Sequence, residues 1–206
     1  MNDAPSSVVF DLGGVLIDWD PRHLYRDLIP NEAEMEKFLD DVVGQPWNRQ
    51  QDAGRSIAEA NAELIAKHPD KKDLIEAYYG EFDRMMKGSI GGTFEVLQAL
   101  ADINVPIYAL SNWSAETWPL AQARFGFLKL FKGVVISGQE GIRKPDPAIF
   151  DLLCDRFELE ADETLFIDDH RPNVEAAEKL GFYTVLFSGP SQLRGRLTGW
   201  GLLPPR

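Results

Sequence analysis

The chain has 206 residues, of which 44% are hydrophobic and 26% charged, and it carries a formal net charge of -12. This length suits one well-packed core with a small satellite domain, but not two large domains. The negative charge disfavours partners such as nucleic acid or an anionic membrane surface. The sequence contains no run of about 18 apolar residues, so no membrane span is predicted.

The cellular location is indicated by cysteine use and by the first residues. Cys154 is the single cysteine and cannot form an internal disulfide. The opening residues, MNDAPSS, lack the basic and apolar regions of a secretion signal. We therefore expect a cytoplasmic protein.

The first predicted strand ends in an acid. In the stretch VVFDLGGVLIDW, residues 8–19, an apolar run ends at Asp11 and is followed by the glycines at positions 13 and 14. A second apolar run comes next. This pattern predicts a buried strand with a carboxylate at its tip, beside a flexible turn.

The next segment, from about residue 20 to 88, has a different character. It carries charged patterns with helical spacing and no convincing strand. An insertion of this kind, between the first strand and the rest of a sheet, indicates a helical cap domain. We predict a core formed by 1–18 and 89–206, and a cap formed by 19–88.

From about residue 90 onward, short apolar runs alternate with amphipathic helices. The runs predict strands that are buried on both faces, at 105–110, 133–137, 164–168 and 183–187. Helix starts are predicted at three places: Ser114, Asp146 followed by Pro147, and Arg171 followed by Pro172. This succession predicts an α/β fold whose parallel sheet is covered by helices on both sides.

Polar residues follow four of the predicted strands. Asp11 follows the first, Ser111 and Asn112 follow the next, Lys144 lies in a loop after the third, and the pair Asp168 and Asp169 follows the fourth. In an open α/β sheet the site lies outside the carboxyl ends of the strands. We therefore expect these groups to meet in one crevice.

These groups together suit phosphoryl transfer. A carboxylate such as Asp11 can attack phosphorus and form an acyl phosphate, provided that cations neutralise the site. Asp11 and Asp168 offer oxygen ligands to Mg²⁺, and Lys144 offers a fixed ammonium. Ser111 and nearby backbone N–H groups are suited to hold the phosphoryl oxygens.

Each feature alone has a plainer explanation. A single Asp at a strand end is more often a cap or turn residue, and a Ser-Asn pair is more often a loop. The adjacent acids Asp168 and Asp169 repel one another unless a cation or the next helix N-terminus relieves the repulsion. The occurrence of all four features in this order is what favours a catalytic site.

These motifs resemble those of the haloacid dehalogenase-like hydrolases, a superfamily of mostly phosphatases, over nearly the whole chain. FDLGGVL resembles the first motif, with Asp11 as the nucleophile, and LSN resembles the second, with Ser111. RKPDPAIF resembles the third, with Lys144, and FIDDHRPNVEAA resembles the fourth, with Asp168 as a metal ligand. The resemblance implies a Rossmann-like doubly wound parallel sheet with a small inserted α-helical cap.

The resemblance also implies a cofactor and a substrate class. The cofactor would be Mg²⁺, with Asp11, Asp168, Asp169 and the carbonyl of Gly13 as its ligands. The cap segment WNRQQDAGRS resembles that of a bacterial subgroup that includes sugar-phosphate phosphatases. The implied function is a Mg²⁺-dependent phosphomonoesterase that acts on a small phosphorylated metabolite through an aspartyl-phosphate intermediate.

The chain departs from the family pattern at Gly13. Most phosphatases of the family have an Asp there, which protonates the leaving group and binds Mg²⁺ through its backbone carbonyl. A glycine keeps that carbonyl and loses the acid, whose help is worth about a hundredfold to ten-thousandfold in rate. Three residues are candidates to replace the acid, although a solvated surface position is the commoner role for such groups: Asp18, Asp52 and His170.

Two tryptophans are candidate walls of the substrate pocket. Trp113 follows the second motif and Trp47 belongs to the predicted cap, so both, with Asn112, are predicted to bind substrate. Trp118 is predicted to be core.

Other functions remain open. A 2-haloacid dehalogenase would use the same Asp11 on carbon without a metal, although such enzymes carry a larger residue at position 13. A catalytically weak phosphate-binding or regulatory protein of the same fold is the second alternative. The chain is predicted to be a monomer or a homodimer.

Overall fold

A parallel sheet forms the centre of the protein. The structure, a computed structural model, describes residues 4–205. Its strands are β1 (Ser7–Phe10), β4 (Ile107–Ser111), β5 (Gly133–Ile136), β6 (Thr164–Asp168) and β7 (Tyr183–Leu186). Their spatial order is β5-β4-β1-β6-β7, and every neighbouring pair is parallel. The predicted strands are confirmed, each to within two residues at either end.

The sheet is apolar on both faces because helices cover both. All four residues of β1 are buried, as are all five of β4 and of β6. Val8 and Phe10 belong to one apolar cluster, whereas Val9 between them belongs to another. Successive side chains of a strand point to opposite faces, so a strand between two helical layers has a continuous apolar sequence.

The helices flank this sheet and build the inserted cap. Their bounds are α1 (Arg22–Leu28), α2 (Glu32–Asp41), α3 (Gln45–Gln51), α4 (Ile57–Lys67), α5 (Lys72–Gly80), α6 (Gly91–Asp102), α7 (Trp118–Arg124), α8 (Ser137–Glu140), α9 (Pro147–Phe157), α10 (Arg171–Lys179) and α11 (Pro190–Gly199). Short 3₁₀ segments lie at 69–71, 82–85, 126–130 and 161–163. The Asp146 side chain accepts a hydrogen bond from Ala148 N at 3.0 Å, which confirms the predicted start of α9.

The predicted helix start at Ser114 is wrong. Helix α7 begins at Trp118, and a turn precedes it. The Ser114 hydroxyl accepts from Glu116 N at 3.3 Å, so it closes this turn rather than the first turn of a helix. Local side-chain bonds of serine favour turns as readily as helix caps.

A short two-stranded ribbon joins the cap, helices α1 to α5, to the core. Strands β2 (Ile17–Trp19) and β3 (Met86–Ser89) pair antiparallel. Strand β3 contradicts the expectation of no strand between residues 20 and 88, because its sequence, MKGS, lacks apolar alternation. The predicted domain boundaries fall in this ribbon, and the division itself stays a prediction.

Aromatic side chains form the centre of the cap. The Tyr25 ring lies 5.1 Å from Phe38 and 6.3 Å from Tyr78, and the Trp47 ring lies 5.2 Å from Tyr78. None of the helices between residues 4 and 205 combines the length and the apolar character needed to cross a lipid bilayer.

Tyr25→Phe tests the polar link inside the cap. Tyr25 is fully buried, and its hydroxyl donates to Leu74 O at 2.7 Å, joining α1 to α5. We expect the substitution to lower the free energy of unfolding by about 1 kcal/mol, since it removes a hydrogen bond made by a buried side chain. Denaturant unfolding measures the change. Tyr108→Phe is the control, because the Tyr108 hydroxyl has no hydrogen-bond partner within the described chain; equal losses would contradict the prediction.

Candidate active site

The carboxyl ends of three neighbouring strands place the first group of site residues. Strand β1 lies between β4 and β6, so the residue that follows it, Asp11, sits beside Ser111 and Asp168. The Asp11 N–H donates to Ile167 O at 2.8 Å, which extends the pairing of β1 with β6 by one step. The chain runs outward from β1 through β4 to β5 and then returns to the other side for β6, which makes this edge a topological switch point.

Three donors converge on one oxygen of Asp11. Ser111 Oγ donates to Asp11 Oδ1 at 2.7 Å, and the Leu12 N–H donates to the same atom at 2.7 Å. The Lys144 ammonium lies 3.2 Å from it. Together these contacts fix the plane of the carboxylate and leave Oδ2 without a donor among the described residues.

Lys144 is the most deeply placed cation of the site. Its side chain is fully buried, and Nζ donates to Leu110 O and to Asp168 Oδ2, both at 2.7 Å. Burial by itself would lower the pKa of Lys144, but the charges of Asp11 and Asp168 raise it above its usual value. The two carboxylates thus favour the charged ammonium, which lies between them.

Asn112 positions the Lys144 loop. Its Nδ2 donates to Lys144 O at 2.9 Å, and its Oδ1 accepts from Lys144 N at 2.8 Å. The side chain does line the cavity described below, but both ends of its amide are already bonded to protein main chain. Substrate contact by Asn112 stays a prediction.

Asp168 is held by residues at the start of α10. His170 N donates to its Oδ1 at 2.7 Å, and Asn173 Nδ2 lies 3.0 Å from Oδ2 and 3.1 Å from Oδ1. The predictions omitted Asn173. Its signal in the sequence is its position in the first turn of the helix that follows the acid pair.

Asp169 lies against the turn that follows the nucleophile strand. Gly14 has a φ of +76°, and a Cβ added there would collide with the Asp169 carboxylate. Glycine is therefore required at position 14 both by backbone conformation and by the approach of this acid. Burial and the charge of Asp168 raise the pKa of Asp169.

The acids form a cluster with the donor chemistry of a divalent cation site. Asp11, Asp168 and Asp169 each present an oxygen, and these atoms lie within 4.8 Å of one another. Burial, opposed by Lys144 and aided by the two other acids, raises the pKa of Asp11 to about 7. Three carboxylates against one ammonium leave excess negative charge, which a hard oxygen-binding cation such as Mg²⁺ would neutralise.

Gly13 lines the same cavity and leaves space beside it. A Cβ added at this position would meet no atom within 4 Å, and the backbone there does not have a positive φ. The absence of an acid at position 13 is therefore not imposed by crowding.

A cavity of about 610 Å³ opens over these residues between the core and the cap. Its lining includes Trp113, Tyr79 and Phe82, which give it an apolar wall. Trp113 therefore lines the cavity, and its contact with substrate stays a prediction. Trp118 packs behind it at a ring distance of 6.1 Å without lining the cavity.

Trp47 does not line the cavity, contrary to the prediction. It is 7% exposed, its ring lies 5.3 Å from that of Tyr79, and its Nε1 donates to Ala60 O at 3.2 Å. Trp47 is a core residue of the cap, because its position on α3 faces α4 and α5 rather than the sheet edge.

The cap contributes polar residues that the predictions largely omitted. Asn48 and Arg49 of α3, and Asp52 at its end, line the cavity opposite the strand ends. Arg143, which precedes the buried lysine, lines it from the core. Helical spacing places these residues on one helix, but sequence alone does not say how that helix lies over the sheet.

The three candidates for a replacement acid lie in different places. Asp18 Oδ1 is 2.9 Å from His23 Nε2, and its side chain is 45% exposed outside the cavity lining. His170 lines the cavity but is exposed, beside the acid pair. Asp52 is half-buried and lines the cavity from the cap.

The chain is similar in sequence to several known proteins. Acyl-CoA dehydrogenase family member 10 of Mus musculus is 44% identical over 204 residues, which cover 89% of this chain but only 18% of that protein. Sesquiterpene phosphatase astK of Aspergillus oryzae is 26% identical over 181 residues, which cover 85% of this chain and 86% of the phosphatase.

A solved structure shares the fold. A haloacid dehalogenase family enzyme of Bacteroides thetaiotaomicron, crystallised as an Asp-to-Ala mutant with magnesium and inorganic phosphate, has a TM-score of 0.69 and 22% identity. The match covers 90% of this chain and 95% of that one. The family model for haloacid dehalogenase-like hydrolases matches residues 6–181, so this chain belongs to the haloacid dehalogenase-like hydrolases.

Proposed function

We propose that this hydrolase is a Mg²⁺-dependent phosphomonoesterase that acts on a small phosphorylated metabolite, such as a sugar phosphate. The observation that carries the proposal is the arrangement around Asp11. Its carboxylate is oriented by Ser111 and Lys144 and faces a cavity at the switch point of the sheet. The phosphatase named among its relatives supports the same activity.

Asp11 is the nucleophile in this proposal. Its Oδ1 is held by three donors, so Oδ2 is the oxygen that can attack phosphorus and form an aspartyl phosphate. The Lys144 ammonium reduces repulsion between this carboxylate and the phosphoryl group. We assign Ser111 to a phosphoryl oxygen of the bound substrate, which would take the hydroxyl hydrogen bond that Asp11 Oδ1 accepts in the free enzyme.

Asp11, Asp168, Asp169 and the carbonyl of Gly13 would hold the metal. When bound, Mg²⁺ supplies the positive charge that lets an anionic substrate approach an anionic nucleophile. The magnesium found in the Bacteroides enzyme of the same fold supports this assignment. Asn173, His170 and Lys144 hold Asp168 in place for it.

The cavity wall sets the kind of molecule that fits. Trp113 presents flat apolar surface, and the guanidinium groups of Arg49 and Arg143 add positive charge to the lining. This combination suits a small anionic molecule with one apolar or sugar-like face. We further propose a cytoplasmic monomer or homodimer that binds neither nucleic acid nor membrane.

Asp11→Asn should abolish phosphate release, since an amide cannot form the acyl phosphate. We expect a loss on the order of a thousandfold or more in kcat, measured on a panel of phosphorylated metabolites and on nitrophenyl phosphate with Mg²⁺. Asp18→Asn, which alters an exposed acid outside the cavity, is the control and should leave the rate unchanged. Substantial turnover by Asp11→Asn would contradict the nucleophile assignment.

Removal of divalent cations separates this activity from that of a dehalogenase. A chelator should reduce phosphate release to background, and added Mg²⁺ should restore it, because the three acids repel the substrate without a cation. The parallel assay measures halide release from 2-chloropropionate with the chelator present. Halide release that survives chelation, without phosphatase activity, would favour the 2-haloacid dehalogenase.

Trp113→Phe tests the cavity wall. The Trp113 indole N–H has no hydrogen-bond partner within the described chain, so the exchange breaks no internal hydrogen bond. Losing part of the ring surface should cost about 1 kcal/mol of substrate contact and raise KM about fivefold with little change in kcat. The matched control is Trp118→Phe, which alters a buried neighbour outside the cavity. An unchanged KM for Trp113→Phe would remove it from the substrate site.

A further inference from the structure

The inference below rests on the proposed function, the cleavage of a phosphate ester. In that reaction the oxygen of the leaving group needs a proton. Asp11, Asp168 and Asp169 are committed to the nucleophile and the cation cluster. Position 13 offers no acid, although it has space for one. The proton must then come from another group that faces the cavity.

Asp52 is such a group. It follows the last residue of α3 and lines the cavity on the side opposite the strand ends. Its Oδ2 lies 3.4 Å from Asn48 Nδ2, and Asn48 Oδ1 in turn accepts from the Tyr79 hydroxyl at 2.9 Å. This pair of contacts orients the carboxyl from within the cap and leaves Oδ1 without a donor among residues 4–205.

The main chain of Asp52 is bonded to the core. Ser137 Oγ donates to Asp52 O at 2.5 Å and accepts from Trp113 N at 3.0 Å. Trp113 lies two residues after Ser111, which donates to the nucleophile. A short series of bonds thus joins the main chain of this cap residue to the loop beside Asp11, and the Asp52 side chain lines the same cavity.

The other protonatable groups near the cavity are less suited. Asp18 is paired with His23 outside it. His170 is exposed and directly follows the acid pair, and its main-chain N–H donates to Asp168 Oδ1. Burial raises the pKa of the Tyr79 phenol far above its usual value, so this hydroxyl stays neutral and donates to Asn48.

The charges that face Asp52 come from three elements. Arg49 lies on its own helix, and Arg143 and Lys144 lie on the core loop; all three favour the ionised carboxylate. Tyr78 and Tyr79 of α5 face it as neutral phenols. Burial outweighs the cations and raises the pKa of Asp52 to about 7, which suits a group that gives and takes a proton near neutrality.

We propose that Asp52, carried by the cap, is the general acid and general base of this enzyme. In the first step Asp11 Oδ2 bonds to phosphorus, the bond from phosphorus to the leaving oxygen breaks, and that oxygen takes the Asp52 proton. In the second step water attacks the phosphorus of the aspartyl phosphate, its proton passes to Asp52, and the bond from Asp11 to phosphorus breaks. Inorganic phosphate leaves, and both acids return to their starting states.

Asp52→Asn tests the proposal, because the amide keeps the shape and the main-chain bond to Ser137 but carries no exchangeable acid. The probes are phenyl phosphate, a poor leaving group, and nitrophenyl phosphate, a good one of similar shape. We expect kcat/KM to fall at least about a hundredfold on phenyl phosphate and less than about tenfold on nitrophenyl phosphate. Asp18→Asn should leave both values unchanged.

The pH profile gives a readout that a structural role would not move. A general acid must be protonated, so kcat/KM on phenyl phosphate should fall as pH rises above about 7 in the wild-type enzyme. This alkaline limb should disappear in Asp52→Asn, while Asp18→Asn keeps it. Equal losses on the two probes, or an unchanged alkaline limb, would overturn the assignment.

A rescue experiment separates chemistry from folding. Gly13→Asp introduces an acid two residues after the nucleophile, at a position that lines the cavity and where an added Cβ meets no atom within 4 Å. Added to Asp52→Asn, it should recover at least about tenfold on phenyl phosphate. Loss of activity on phenyl phosphate by His170→Gln, without loss by Asp52→Asn, would move the role to His170. If the wild-type enzyme released no phosphate from either probe with Mg²⁺, the proposed function itself would fail.

Discussion

The buried ammonium of Lys144 is the interaction on which the site depends. A charge without solvent is costly unless it is fully paired, and this one is held by a main-chain carbonyl and two carboxylates. These partners belong to the ends of β4, β1 and β6. The ion cluster therefore holds three strand ends within hydrogen-bonding distance, and the sheet order that brings them together also fixes the nucleophile.

The sequence predicts the core well because its physical signals are strong there. Strand β6 is predicted to the residue, since TLFID is buried on both faces and ends in an acid pair. Strand β3 is not predicted, because its pairing with β2 depends on tertiary position rather than on side-chain pattern. The start of α7 is missed for a similar reason: Ser114 satisfies a turn as well as it would a helix.

The sequence predicts the helices of the cap but not how they are oriented over the sheet. The helical spacing predicted for this segment is confirmed, and α2 and α4 begin after the capping side chains of Asn31 and Ser56. Helical spacing does not say which face of α3 lines the cavity, so the sequence predicts Trp47 in the pocket and gives no sign of Arg49. The tilt of a helix over a sheet is set by packing across the whole interface, which no local window contains.

The bond from Ser137 to the main chain of Asp52 has a consequence for turnover. It crosses the seam between cap and core, as does the bond from Ile57 N to Glu116 Oε1 at 2.7 Å. If this seam parts during turnover, the cap carries the Asp52 carboxyl away from the nucleophile. An open enzyme would then hold a nucleophile without its proton donor. Bulk water that enters the open cleft would meet Asp11 without the general base that activates water.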